Sequence, residues 1–262
     1  MTDDSSRHMR VLAVLEQLAN TMYPQTLAQL AQRTGLPKTS LMRMLNTLER
    51  SAYVTRMPNE IGYVPGPRAH CLAVSVLQTP HFLRACRSVL GKLVAITGES
   101  CNLTAMAGDA VHYLARVESP DALRLQLHLD IGVHVPLHCT ASGKLFLAAT
   151  PRHYLLQILD RIELTALTPK TITSRKMLEA ELERIRLQNI GIDDGEFVRG
   201  MVAIAVPVLD SRNTIVAAIA CHAPTAQKSL SELMEFTGPM QKASAEMSAI
   251  LTGVEDNKKP AC

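Results

Sequence analysis

The sequence has no long hydrophobic run and no cysteine framework, and each lack removes a class of protein. No apolar run in the 262 residues approaches the roughly 20 residues that a membrane-spanning helix needs. The first residues are polar, unlike a secretory signal peptide. The six cysteines are scattered without a Cys-x-x-Cys pair, which argues against a zinc ribbon and a disulfide framework. We therefore expect a protein of the reducing cytoplasm without a membrane partner.

Familiar catalytic and nucleotide-binding motifs are lacking as well. No Gly-x-Ser-x-Gly elbow is present. The segment that ends in Gly143-Lys144 is not a phosphate-binding P-loop, because His138 stands where the first glycine of that motif is needed. The expectation is a protein that is not an enzyme and that has no cofactor.

The net charge of +3 is small, but it is unevenly placed. Through residue 70, eight lysines and arginines face five aspartates and glutamates, and the rest of the chain is neutral. A local basic excess agrees with a nucleic-acid contact in the first quarter of the chain.

Residues 9–64 have the pattern of a winged helix-turn-helix. A helix is predicted at 9–19, a second one is capped by Thr26, and Gly35 ends it at a turn. Pro37 opens the third helix, in which leucines and methionines form one buried face. Residues 53–55 and 62–64 then predict two short strands of a wing.

The third helix leaves a polar face outward, where hydroxyl and basic groups suit phosphates and base edges in a major groove. The candidate DNA-binding residues are Lys38, Thr39, Ser40, Met42, Arg43 and Asn46, with Arg56 in the wing. A small helical bundle with an ordinary solvated face is the alternative. The charge excess and the wing favour DNA binding.

Pro65-Gly66-Pro67 is the clearest break in the sequence and separates residues 1–67 from the rest of the chain. A linker helix is predicted within 68–79, a larger domain at 80–253, and a polar tail at 254–262. Further helices are expected at 82–97, 141–149, 151–159, 174–189 and 226–251, and strands at 100–107, 111–117, 123–129, 202–209 and 215–221. Strands mixed with long helices predict an α+β domain with an antiparallel sheet.

Residues 138–144 predict a loop that enters a helix. Thr140 can cap the helix, and the free N–H groups of Ala141 and Ser142 then favour a carboxylate or another anion at the positive end of the helix dipole. A plain capped helix without a ligand is the alternative.

The chain resembles the IclR-type bacterial transcription regulators. The resemblance spans residues 9–251, and one departure from it is Ala52, which stands where the usual glycine precedes the wing tyrosine. The segments that carry it are 27–31, 34–38, 45–49, 53–54, 66–68, 113–119, 135–144, 167–172, 193–197, 200 and 204–208.

The resemblance implies a winged helix, a linker helix and a GAF-like effector domain. Such proteins act as homodimers or homotetramers on palindromic operators, as repressors or activators of catabolic genes, in answer to a small molecule. The residues that match their effector site are Ala141, Ser142, Asp193, Ala203, Ala220 and His222. Better-known relatives have thiol or hydroxyl groups at positions 203, 220 and 222. The alanines here therefore favour a more apolar carboxylate, such as an aromatic acid. Asp193 is expected to orient a ligand hydroxyl or a loop amide, the alternative being a surface carboxylate.

A metal- or thiol-dependent sensor or enzyme is the rival interpretation. Its candidate residues are His128, His134, His138 and Cys139, together with Cys221 and His222. Their spacing is not that of a chelating motif. Adjacent residues in a strand also point to opposite faces, so His138 and Cys139 do not form a nucleophile–base pair readily. An adaptor that uses the helix-turn-helix for docking is a further alternative.

Overall fold

The computed structural model describes residues 2–21, 23–57, 62–120 and 134–253. The chain divides into two compact units, Met1–Thr79 and Pro80–Cys262. No helix in the described ranges is long and apolar enough to cross a membrane.

The first unit contains three helices and a two-stranded wing among its described residues, followed by a fourth helix. The helices are α1 (Thr2–Ala19), α2 (Leu27–Thr34), α3 (Lys38–Arg50) and α4 (Pro67–Leu77), and the strands are β1 (Val54–Met57) and β2 (Gly62–Pro65). The wing is an antiparallel pair in which Arg56 lies opposite Tyr63. The predicted linker helix is α4, and it begins with a proline in its first turn, where the missing N–H is not needed.

Leucines at helical spacing hold this unit together. Leu41, Leu45 and Leu48 of α3 are buried against Val14 and Leu18 of α1. Spacings of three and four residues place each set on one face of its helix, so the opposite face of α3 is left to solvent.

The second unit is an α+β domain. Its elements are α5 (Pro80–Thr97), β3 (Ser100–Ala107), β4 (Ala110–Val117), β5 (His134–Pro136), α6 (Ala141–Ala149), α7 (Arg152–Arg161), α8 (Arg175–Gln188), β6 (Gly191–Asp193), β7 (Met201–Leu209), β8 (Ile215–Pro224), α9 (Leu230–Met234) and α10 (Thr237–Thr252). The strands form one sheet in the order β5-β4-β3-β8-β7-β6, in which every neighbouring pair is antiparallel. The predicted fold class is confirmed.

Helices cover both faces of this sheet, so the strands are apolar on both sides. Ile219 and Cys221 of β8 belong to the core formed with α5 and α10. Ala218 and Ala220 alternate with them along the strand and belong to the core formed with α6, α7 and α8. Alternate residues of a strand point to opposite faces, which explains why β7 and β8 are continuous apolar runs in the sequence.

Three sequence expectations differ from the structure, and one lies outside it. The single helix predicted at 226–251 is wrong: the chain forms α9 and α10, because Pro239 has no N–H for the carbonyl of Glu235 and its ring would clash there. The short strands β5 and β6 were not expected, since three residues are too few to show a period. Helix α1 begins at Thr2 rather than at residue 9. The strand predicted at 123–129 lies outside the described residues.

Candidate functional site

The helix-turn-helix is fixed by a capped helix and a left-handed turn. Thr26 Oγ1 accepts a hydrogen bond from Gln29 N at 3.2 Å, and Thr26 N donates to Gln29 Oε1 at 2.8 Å. These two reciprocal bonds form a capping box at the start of α2. Gly35 ends the helix with φ +67° and donates its N–H to Ala31 O at 3.0 Å. A side chain at position 35 would be strained, so this turn depends on glycine.

The outer face of α3 is open to solvent. The exposed predicted residues are Lys38, Thr39, Met42, Arg43 and Asn46, while Ser40 is half-buried. Neither Lys38 nor Arg43 forms an ion pair within the described residues. Both cations are therefore available to phosphates or base edges.

The wing extends this surface. Arg56 of β1 is exposed, and together with Met42 of α3 it lines a groove of about 590 Å³. Thr26, at the start of α2, lies at the same groove. The structure thus brings the wing arginine to the helix-turn-helix face that the sequence predicted.

In the second unit a cavity of about 40 Å³ lies between the sheet and α6. It is lined by all six residues predicted for the effector site and by others that were not predicted. The full set is Asn102, Thr104, Val111, Tyr113, Val135, Thr140, Ala141, Ser142, Asp193, Phe197, Val198, Met201, Val202, Ala203, Ala220 and His222. Residues up to 120 positions apart in sequence therefore form one wall.

The first turn of α6 borders the cavity. Thr140 caps the helix, because its Oγ1 accepts from Gly143 N at 3.2 Å and donates to Pro136 O at 2.7 Å. The N–H groups of Ala141 and Ser142 precede the first possible intrahelical bond, so they have no carbonyl partner within α6. An anion beside them would replace that missing partner and meet the positive end of the helix dipole.

Asp193 is a buried carboxylate that holds the loop after β6. Its Oδ1 accepts from Glu196 N at 2.7 Å and from Phe197 N at 3.3 Å, while Phe197 itself lines the cavity. Of its two predicted roles, orienting a loop amide agrees with these contacts, and only 5% of the residue is exposed. Burial raises the pKa of Asp193 to about 7, although both N–H donors oppose the shift.

Two further polar groups on the sheet face each other across β3 and β8. Asn102 Nδ2 lies 3.2 Å from His222 Nδ1. His222 keeps some accessible surface where it lines the cavity, but the surrounding protein removes most of its water. This burial, with a smaller contribution from the Arg116 charge, lowers the pKa of His222 to about 3, so the imidazole is neutral.

Thr104, two residues after Asn102, connects the sheet to α6. Its Oγ1 donates to Ser142 Oγ at 2.9 Å and lies 3.2 Å from Ala218 O. Thr104 and Asn102 were not predicted as site residues. The sequence carried a sign of them, because Ser100, Asn102 and Thr104 are polar residues that alternate with apolar ones in this strand.

Behind the first turn of α6, Lys144 is completely buried. Its Nζ forms an ion pair with Glu196 Oε1 and lies 3.7 Å from Glu181 Oε1. Glu196 belongs to the loop that Asp193 holds, so the pair joins this loop to α6. The pair was not predicted from the sequence, although a lysine inside the apolar helix 141–149 was a sign of a buried partner.

The residues of the rival metal or thiol interpretation do not come together. His138 Nε2 lies 3.0 Å from Thr165 O, and His222 lies against Asn102. Burial raises the pKa of Cys139 to about 12, which opposes thiolate formation. No group of three or more metal-ligating side chains occurs in the described ranges, and His128 lies outside them. This interpretation is not favoured.

Comparisons with known proteins agree with this architecture. Residues 9–58 match the IclR helix-turn-helix domain, and residues 74–249 match the C-terminal domain of the bacterial transcriptional regulator IclR. The chain is 39% identical over 239 residues to a probable transcriptional regulator, SauR, of Cupriavidus necator, which covers 91% of this chain and 94% of the relative.

Solved structures are similar as well. The IclR of Thermotoga maritima superposes with a TM-score of 0.61 at 24% identity, covering 94% of this chain and 99% of that one. The inducer-binding domain of PobR from Acinetobacter, a double mutant in complex with 3-hydroxybenzoic acid, gives a TM-score of 0.59 at 25% identity, covering 63% and 97%. The two domain matches and the 39% identity together place this chain in the IclR family of bacterial DNA-binding transcription regulators.

Proposed function

We propose that this regulator senses a small carboxylate, which binds in the cavity at the start of α6 and alters binding of the α3 face to a palindromic operator. The single observation that carries the proposal is the meeting of the six predicted effector residues at one cavity, with the first turn of α6 in its wall.

The start of α6 is the part of the wall that favours an anion. Two backbone N–H groups without intrahelical partners, next to the hydroxyls of Ser142 and Thr104, can replace the water around a carboxylate. Asp193 does not prevent this binding, because its raised pKa leaves it partly neutral near pH 7. Ala203 and Ala220 supply apolar surface for the rest of the ligand.

The size of the cavity favours a ligand of few heavy atoms. A cavity of about 150 Å³ holds benzene, whereas this one has about 40 Å³. An aromatic acid is a second candidate, supported by the 3-hydroxybenzoic acid bound to the related PobR domain. It requires the wall formed by Phe197 and Val198 to move outward.

On the DNA side, the proposed contacts are Lys38, Thr39, Ser40, Met42, Arg43, Asn46 and Arg56. One recognition helix reads too few base pairs to select a site, so a homodimer or homotetramer on a two-fold symmetric operator is part of the proposal.

Calorimetry on the full-length protein tests the carboxylate site. The acids are acetate, butyrate and benzoate, with their hydroxylated counterparts glycolate, 3-hydroxybutyrate and 3-hydroxybenzoate. Ala220→Asp places a negative charge in the cavity wall. We expect it to lower the affinity for the tightest-binding acid by about tenfold or more. Ala220→Asn has nearly the same shape without the charge, and it should bind within a few-fold of wild type.

Undiminished binding to Ala220→Asp would place the carboxylate elsewhere. Equal weakening by both variants would mean that volume rather than charge is responsible. If wild type bound none of the six acids, the carboxylate assignment would be wrong.

A further inference from the structure

The side chain of Asn102 is a polar group of the cavity wall that has a hydrogen-bond acceptor without a donor. Asn102 is only 1% exposed and lines the cavity. Its Oδ1 has no hydrogen-bond partner among the residues that the structure describes. A buried amide oxygen without a partner is unfavourable, so such an atom at a cavity indicates a ligand group.

The neighbouring imidazole completes a donor–acceptor pair. If Asn102 Nδ2 donates to His222 Nδ1, Oδ1 is left as an acceptor and His222 Nε2 carries a proton to donate. If the amide is turned over, Nδ1 donates to the amide oxygen, leaving the NH₂ group as a donor and Nε2 as an acceptor. In both arrangements the pair offers one donor and one acceptor.

A hydroxyl is the smallest ligand group that satisfies such a pair, because it donates and accepts at a single atom. An ammonium group only donates, and the Arg116 charge that acts on His222 would oppose a second cation there. A bare carbonyl only accepts and would leave the donor of the pair unused.

We infer that the Asn102–His222 pair reads a hydroxyl on the effector, so that the ligand is a hydroxycarboxylic acid. The inference rests on the proposed function, since the carboxylate is assigned to the start of α6. Thr104 contacts Ser142 at that end, and Asn102 lies two residues away on the same face of β3. Two residues of a strand span about 7 Å. The carboxylate and the hydroxyl of the ligand are therefore expected to be separated by only a few bonds.

The assignment moves the hydroxyl contact away from Asp193, the residue that the sequence suggested for it. Asp193 Oδ1 already accepts from two loop amides. Asn102 and His222 replace it as the determinants of ligand class.

Matched acid pairs test the inference by calorimetry on the full-length protein. The pairs are glycolate with acetate, 3-hydroxybutyrate with butyrate, and 3-hydroxybenzoate with benzoate. For the pair that contains the tightest ligand, we expect the hydroxylated acid to bind about tenfold or more tightly than its counterpart.

Asn102→Leu and His222→Phe keep the approximate shapes and remove the donor–acceptor pair. Each variant should bring the affinity ratio of the hydroxylated acid to its counterpart close to one, while binding of the unsubstituted acid stays within a few-fold of wild type. The second variant covers the case in which the first fails to fold, which thermal unfolding detects.

The outcomes separate this inference from the proposed function. A wild type that binds an unsubstituted acid as tightly as its hydroxylated counterpart overturns the hydroxyl assignment and leaves the carboxylate site intact. A preference that survives in a folded variant also overturns it. If no acid of either kind binds to wild type, the carboxylate site itself is wrong, and the inference fails with it.

Discussion

At the scale of single residues, Asp193 sets a pH dependence on the stability of the second unit. Its pKa is raised from 3.8 to about 7 because it is buried. Between about pH 4 and pH 7 the unfolded chain loses this proton while the folded chain keeps it. Raising the pH through this window therefore lowers the free energy of unfolding, and above about pH 7 the loss is complete.

Asp193→Asn removes this titration and keeps an amide oxygen that can accept from Glu196 and Phe197. We expect the stability of wild type relative to the variant to fall steadily from pH 4 to pH 7 and then to level off. Urea denaturation across this range measures the difference. A constant difference would show that Asp193 ionises as an ordinary surface carboxylate, and a difference that rises with pH would show that folding lowers its pKa.

Individual residues were predictable to unequal degrees. Ala141, Ser142, Asp193, Ala203, Ala220 and His222 came from a resemblance, and the structure brings them to one cavity. Lys144 could not be assigned a partner from sequence, because Glu181 and Glu196 lie 37 and 52 positions away and only the fold brings them together. The unmet acceptor of Asn102 is likewise a property of packing.

At the scale of elements, α6 depends on a close approach at Gly143. A Cβ at this position would lie 2.6 Å from Leu137 Cα and 2.6 Å from Thr140 Oγ1, inside the turn that forms the cap. We expect Gly143→Ala to destabilise the protein by about 1–3 kcal/mol, because backbone atoms must shift.

Gly91, inside α5, is the matched control, since a Cβ there would meet nothing within 4 Å. Gly91→Ala should be stabilising by about 0.5–1 kcal/mol through helix propensity and reduced freedom of the unfolded chain. Chemical denaturation of both variants gives the comparison. Equal effects of the two substitutions would show that the α6 turn has room for a side chain.

The recognition helix α3 allows a second prediction at this scale. If Arg43 reads a guanine edge, Arg43→Ala should weaken operator binding by about 1–3 kcal/mol and relax preference at one base pair. If Lys38 contacts a phosphate, Lys38→Ala should weaken binding to all sequences alike and flatten its salt dependence.

Lys242→Ala removes an exposed charge from α10, in the other unit, and should leave DNA affinity unchanged. Operator and scrambled duplexes at several salt concentrations give the required affinities. Folded Arg43→Ala and Lys38→Ala variants with wild-type affinity would remove α3 from the DNA interface.

Elements with a strong period were predictable, and short or interrupted ones were not. Helices α5 and α8 repeat apolar residues over several turns, so their bounds are close to those expected. Strands β5 and β6 have three residues each and exist because a longer neighbour pairs with them. The break between α9 and α10 is caused by the local sequence Gly238-Pro239. It was missed because apolar residues continue at helical spacing across 226–251.

At the scale of the whole molecule, the division at Thr79 and Pro80 predicts that the second unit folds by itself. Residues 80–253 should unfold in one cooperative transition and bind the tightest acid within a few-fold of the full chain. Thermal unfolding with and without the acid measures both properties. A fragment that stays unfolded while the full-length protein is stable would show that the two units depend on each other.

Two separate sites are not enough for regulation, because they must also be coupled. The effector must bind more tightly to one of two states of the protein, and these states must differ in affinity for DNA. Coupling in such systems is typically about 5- to 150-fold in affinity. The operator is obtained by sequencing the DNA that the purified protein retains from sheared genomic fragments. Its repeat spacing also reports the symmetry of the bound oligomer.

We propose that a ligand in the cavity of the second unit controls DNA binding by the first. The decisive measurement is the anisotropy of a labelled operator, titrated with protein in the presence and absence of the tightest-binding acid. We predict that the acid changes the operator affinity of wild type by about fivefold or more. Ala220→Asp should bind the operator as wild type does and show no change with the acid. An Ala220→Asp protein that responds to the acid as strongly as wild type would show that this cavity does not control DNA binding.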